Sequence, residues 1–124
     1  MTSSTGSSAG RLTTHVLDTA SGIPARGMTC RLFRVSGEQR TLVKDVTTNN
    51  DGRVDSPMLE GADFKTGSYE LLFDAGSYFA GKPGAPATPF LSEIPIRFTI
   101  ADANSHYHVP LLVSPWAYST YRGS

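Results

Sequence analysis

Apolar and polar residues alternate along this chain in short runs, and each run ends at turn-forming residues. A period of two sends successive side chains to opposite faces of an extended strand, so the pattern predicts β-structure with almost no helix. The predicted strands run from Leu12 to Thr19, Met28 to Val35, Thr41 to Thr47, Ser68 to Phe73, Ile94 to Ile100, Tyr107 to Val113 and Trp116 to Arg122. Ser21-Gly22-Ile23-Pro24, Ser36-Gly37 and Asn49-Asn50-Asp51-Gly52 punctuate them. The last is the strongest turn signal, because Asn, Asp and Gly tolerate the backbone angles of tight turns. Ala75 to Phe79 suits one short helix, and the Pro- and Gly-rich segment from Gly81 to Pro89 suits only a loop. Pro95 has no N–H to donate, which puts the Ile94 strand at a sheet edge or Pro95 near the strand's start. Seven or eight short strands in 124 residues predict an all-β, two-sheet sandwich with one short helix.

The same alternation sorts side chains by face. Tyr107, Val109, Leu111 and Val113 form a continuous apolar face suited to the core, which leaves His106, His108, Pro110 and Leu112 on the opposite face. A solvated outer face ordinarily carries Lys, Glu or Thr, so paired histidines followed by Pro and Leu mark a site formed at an interface. In the first strand Leu12, Thr14 and Val16 share one face, and Thr13, His15 and Leu17 the other. In the last strand Ser119, Tyr121 and Gly123 oppose Trp116, Tyr118 and Thr120. Cys30 shares a face with Met28 and Leu32 and is a small core hydrophobe, while Trp116 and Tyr118 are expected to pack. Chain ends commonly fray, so a strand pattern that continues to the terminus implies that something holds it.

Composition narrows the function classes. Eleven basic and eleven acidic side chains balance, so no net field draws nucleic acid or an anionic membrane. No apolar run approaches the roughly 20 residues that cross a bilayer, and the single cysteine excludes an internal disulfide framework. Met1 to Gly10 is rich in Ser, Thr and Gly without an apolar stretch, which suits a disordered leader and not a secretory signal. The expected organisation is that leader over 1–10 followed by one domain over 11–124, in a soluble, cytoplasmic protein. The terminus does not resemble the Ser-Lys-Leu peroxisomal signal.

The candidate chemistry centres on histidine, whose unperturbed pKa of about 6.5 lets it take and return protons near neutral pH. His106 and His108 project from one face and could begin a metal site, but this segment supplies no Asp, Glu or Cys to complete the ligands, and no metal or other cofactor is expected. Arg53, directly after the Asp51-Gly52 turn, is by default a solvated side chain.

Two separated signatures change that default. His15-Val16-Leu17-Asp18 followed by Gly22-Ile23-Pro24-Ala25 resembles the first signature of the transthyretin-like family. The run from His106 to Pro115 and the ending Tyr118-Ser119-Thr120-Tyr121-Arg122-Gly123-Ser124 resemble its second signature and the terminus of its enzyme branch. The resemblance spans about Leu12 to Ser124. Val113, Ala117 and a longer Pro-rich loop depart from the family pattern, away from the expected site.

The family contains hormone carriers and 5-hydroxyisourate hydrolases. His15, Arg53, His108 and Tyr121 to Ser124 stand where the hydrolase branch has His, Arg, His and the Tyr-Arg-Gly-Ser end. The resemblance therefore implies hydrolysis of a small, planar, oxygen-rich purine derivative by water. It also implies a homotetramer, assembled as a dimer of dimers with the sites where the dimers meet. In this reading His15 and His108 handle protons, Arg53 stabilises negative charge as water adds, and Ser124 offers a hydroxyl and the terminal carboxylate. His15, Arg53, Tyr121, Arg122, Ser119 and His106 are the expected substrate contacts. Competing readings are a non-catalytic carrier of small aromatic ligands and a structural sandwich module. Titratable and cationic groups in the channel weigh against the carrier, which gains more from an apolar lining.

Overall fold

A computed structural model describes residues 10–123. Both the leader over 1–9 and the candidate Ser124 therefore lie outside the described residues; Gly10, assigned above to the leader, is buried. The strands are β1 (Arg11–Asp18), β2 (Ile23–Pro24), β3 (Thr29–Ser36), β4 (Gln39–Thr47), β5 (Leu59–Glu60), β6 (Gly67–Asp74), β7 (Glu93–Ile100), β8 (His106–Val113) and β9 (Tyr118–Thr120). One α-helix, α1 (Ala75–Phe79), follows β6 directly, and Asp74 caps it by accepting a hydrogen bond from the Ser77 amide. The two-residue strands β2 and β5 are too short to show a period, so alternation missed them.

These strands form two sheets. A five-stranded sheet runs β9-β8-β1-β2, with β5 also paired to β1, and a four-stranded sheet runs β4-β3-β6-β7. The second sheet is antiparallel throughout, whereas β1 and β8 pair in parallel from Arg11 opposite His106 to Asp18 opposite Val113. Strand β7 lies at an edge, with Pro95 in register with Leu72 of β6, and the outer side of an edge strand needs no N–H donor. The core lies between the sheets. Leu12, Val16, Tyr107, Val109, Leu111 and Val113 meet Cys30, Leu32, Leu71, Phe73, Ile94 and Ile100, and all are buried. Burial of this apolar surface supplies the main driving force for closing the sandwich.

The last strand is shorter than its pattern predicts. Ser114 Oγ accepts hydrogen bonds from the Trp116 and Ala117 amides, and the Ser114 amide donates to the Ala117 carbonyl at 2.9 Å, so residues 114–117 close a tight turn instead of pairing. Trp116 and Tyr118 do not pack into the core: they are 58% and 45% exposed, and Trp116 meets only the exposed Phe90 ring among its aromatic neighbours. After Thr120 the chain leaves the ladder and returns to β8 at a single bridge between Gly123 and His108. Among the described residues the tail is held there, where the Gly123 amide donates to the His108 carbonyl at 2.7 Å.

Candidate active site

The outer face of the five-stranded sheet carries the candidate residues because β1 and β8 run side by side in register. Arg11 lies opposite His106, Thr13 opposite His108, and His15 opposite Pro110. Alternation sends Leu12, Thr14 and Val16 inward, so Thr13 and His15 face out with His106 and His108, all half-buried. An open cleft of about 340 Å³ forms over this face, lined by Arg11, Thr13, Arg53, Val54, His106 and His108. Proximity in space brings together residues that lie 93 and 95 positions apart in the chain.

The Asn49–Gly52 turn delivers the remaining pieces. Asn49 accepts from the Asp51 and Arg53 amides through its side-chain oxygen, which shapes the turn. The Val16 amide then donates to the Gly52 carbonyl at 2.8 Å, docking the turn on β1 and pairing Arg53 with His15. Only glycine fits at position 52: its φ is +74°, and a Cβ there would lie 2.3 Å from the Val16 carbonyl oxygen. Docking also places the Asp51 carbonyl 2.8 Å from His15 Nε2. A carbonyl can only accept, so Nε2 carries the proton and the neutral ring keeps its lone pair on Nδ1.

Thr13 holds the other two imidazoles. Its Oγ1 lies 2.7 Å from His106 Nε2 and 2.8 Å from His108 Nδ1. His108 Nε2 is left for the cleft. Thr13 escaped the list of candidates because one Thr on a strand carries no chemical signal of its own; its face was legible, its two partners were not.

Electrostatics keep the cluster neutral. Burial lowers the pKa of His15, and the Arg53 charge lowers it further against the opposing pull of Asp51. Burial likewise lowers His108, assisted by Arg53, His106 and His15, and lowers His106, assisted by Arg11 and Arg122. Each imidazole therefore offers one lone pair and one N–H at neutral pH, the complement needed to take a proton from water and to donate to a developing anion.

The tail residues are distributed differently. Ser119 pairs with Leu112 on the histidine-bearing face, toward the far end of β8. Tyr121 and Arg122 line a separate groove with Ile96, Phe98, Tyr107 and Thr120, because the strand register that would align Tyr121 with Ser119 ends at Thr120. Arg122 stacks its guanidinium 4.0 Å from the Tyr107 ring centre and donates to the His106 carbonyl at 3.3 Å. Gly123 approaches His108 so closely that a Cβ would lie 2.5 Å from the imidazole Cδ2. Among the described residues no group of three or more His, Cys, Asp or Glu could hold a metal ion. No helix among them is long and apolar enough to cross a membrane.

The protein is a two-sheet β-sandwich of the transthyretin type that carries imidazoles and a guanidinium on one outer face. The HIUase/Transthyretin family model matches residues 12–123, and the chain belongs to that family. It is 60% identical over 119 residues to "5-hydroxyisourate hydrolase 2" of Rhizobium meliloti, covering 95% of this chain and 99% of that protein. The Klebsiella pneumoniae 5-hydroxyisourate hydrolase structure superposes with a TM-score of 0.76 at 34% identity, covering 93% of this chain and 99% of the other. Transthyretin from Sparus aurata, 23% identical, shares the fold with a TM-score of 0.80 over 91% of this chain and 96% of its own. Within the family this chain stands with the enzymes, as a hydrolase.

Proposed function

We propose that the protein hydrolyses 5-hydroxyisourate to 2-oxo-4-hydroxy-4-carboxy-5-ureidoimidazoline, a step of urate breakdown. The observation that carries this reading is the outer-face cluster brought together by the β1–β8 register and the docked turn: His108 and Arg53 line the cleft, and His15 is bridged to Arg53 beside it. The hydrolase relatives support the choice of substrate.

In this mechanism His15 Nδ1 takes a proton from water as the water oxygen adds to a ring carbonyl carbon. The carbonyl oxygen becomes an oxyanion facing donors from Arg53 and from His108 Nε2–H. Collapse of this intermediate breaks the C–N bond, and the departing nitrogen takes the proton from the His15 imidazolium. The new carboxylic acid then releases its own proton to solvent. No covalent intermediate is required, and no metal enters.

The cleft is open, and a single chain leaves much of a bound heterocycle exposed. Assembly as a dimer of dimers would close it by apposing two such faces, and the free sheet edges at β7 and β9 are available for pairing between copies. Ser119, Tyr121 and Arg122 complete the proposed substrate contacts in that assembly.

The test follows the loss of 5-hydroxyisourate absorbance with purified His15→Ala, Arg53→Ala and His108→Ala. Each is expected to lower kcat by about 100-fold or more while retaining the wild-type oligomeric state, in line with loss of a general base or an oxyanion donor. Near-normal turnover in any one removes that residue from the mechanism. Binding without turnover by the wild type would turn the assignment to a carrier.

A further inference from the structure

The Thr13 hydroxyl occupies an unusual place, with ring nitrogens of two different histidines within hydrogen-bond distance of one oxygen. Such a hydroxyl has one proton to give. Between two neutral imidazoles it donates to one nitrogen and accepts from the other, so the tautomers of the two rings are tied together. Two arrangements are available. In the first, His106 Nε2–H donates to Oγ1 and Oγ1–H donates to His108 Nδ1, which leaves His108 with its N–H on Nε2, toward the cleft. In the second both bonds reverse, and His108 presents a lone pair instead.

The surroundings favour the first. His15 is already committed as the lone-pair partner, since its Nε2–H is held by the Asp51 carbonyl. A second lone pair beside it would leave the developing oxyanion facing an acceptor. The cations around the cluster, Arg11 on β1, Arg53 after the turn and Arg122 in the tail, create a field suited to a negative charge arising in the cleft. An Nε2–H from His108 adds to that field, whereas a lone pair opposes it.

We propose that Thr13 is a positioning residue of the active site, linking His106 to His108 so that His108 is held in the tautomer that donates Nε2–H to the reacting carbonyl oxygen. His106 then acts through Thr13, and does not need to touch the substrate. This rests on the hydrolase mechanism above, and it assigns to His106 and Thr13 roles that the cleft lining alone does not.

The experiment compares Thr13→Val, which keeps the β-branched shape and removes the hydroxyl, with Thr13→Ser, which keeps the hydroxyl. Thr13→Val is expected to lower kcat at least tenfold with KM changed less than about threefold, because a donor is lost in the transition state more than in substrate binding. Thr13→Ser is expected to recover most of that loss. His106→Ala is expected to cause a smaller loss, and none when added to Thr13→Val, since its route to the site is already cut.

A readout independent of turnover is the histidine ring nitrogen NMR spectrum of the 15N-labelled protein. The wild-type His108 ring is expected to show a protonated Nε2 and an unprotonated Nδ1, and Thr13→Val a mixture of both tautomers. Unchanged tautomers in Thr13→Val, a kcat within twofold of wild type, or a Thr13→Ser variant as impaired as Thr13→Val would overturn the proposal. Absence of 5-hydroxyisourate turnover by the wild type would overturn the proposed function instead, and the NMR comparison would still judge Thr13.

Discussion

Replacing Gly123 by alanine tests how closely the chain end and the site depend on each other. A Cβ at position 123 would lie 2.5 Å from Cδ2, 3.2 Å from Cγ and 3.3 Å from Cβ of His108. Carbon atoms prefer separations of about 3.5–4.0 Å, so either the imidazole or the tail must move by roughly an ångström. If the ring turns, it loses the 2.8 Å bond between Nδ1 and Thr13; if the tail lifts, it loses the 2.7 Å bond from the Gly123 amide to the His108 carbonyl. Either bond is worth about 1 kcal/mol net, and neither lies in the core. A fall in Tm of roughly 3–6 °C follows for a chain of this size. The effect on catalysis is expected to be much larger, because a displacement of about 1 Å in a catalytic group can cost about 100-fold in rate. Absorbance kinetics with 5-hydroxyisourate and a thermal melt on the same sample measure both numbers. A kcat/KM within threefold of wild type would refute the argument that Gly123 and His108 are sterically coupled. A Tm lower by more than about 10 °C would refute the claim that the damage stays local.

Gly52→Ala is expected to be worse for the fold as well as for the site. The added methyl meets the backbone oxygen of Val16, which cannot swing aside, at a residue with φ of +74°. Left-handed strain of about 1–2 kcal/mol adds to loss of the bond from the Val16 amide, giving a Tm lower by roughly 5–15 °C together with loss of turnover, checked by melting and by kinetics. Stability should also depend on pH in a defined window. His15, His106 and His108 all have folded pKa values below the ordinary 6.5, so the unfolded chain binds more protons and destabilisation sets in as pH falls through 6.5. Their contribution is complete above that value; denaturant midpoints measured between pH 8 and pH 5 are expected to fall on the acid side, and a rise on acidification would contradict the burial of neutral imidazoles.

Much of this molecule was determined by the sequence alone, for a local reason. Period-two alternation depends only on strand geometry, so the apolar row from Tyr107 to Val113 and the outward row with His106 and His108 were both legible, and both are observed. Pro95 announced an edge or strand-start position because its missing N–H is a property of the residue itself, and the strand is an edge strand. The Asn49–Gly52 turn was legible from its residue types for the same reason. Alternation failed where its premise failed: the Ser114 turn and the exit after Thr120 break the ladder, so Tyr121 and Arg122 stand in a groove beside Tyr107 and not in the row of Ser119.

What only the tertiary structure decided were pairings between distant segments. Parallel contact of β1 with β8 puts Thr13 between two imidazoles, and docking of the turn on Val16 puts the Asp51 carbonyl on His15. Neither is encoded in the spacing of the residues concerned, because hydrogen bonds across 36 to 95 positions arise only once β1, β8 and the turn lie side by side. The histidines were visible as residues; which nitrogen of each faces the cleft was set by the strands and the turn packed around them.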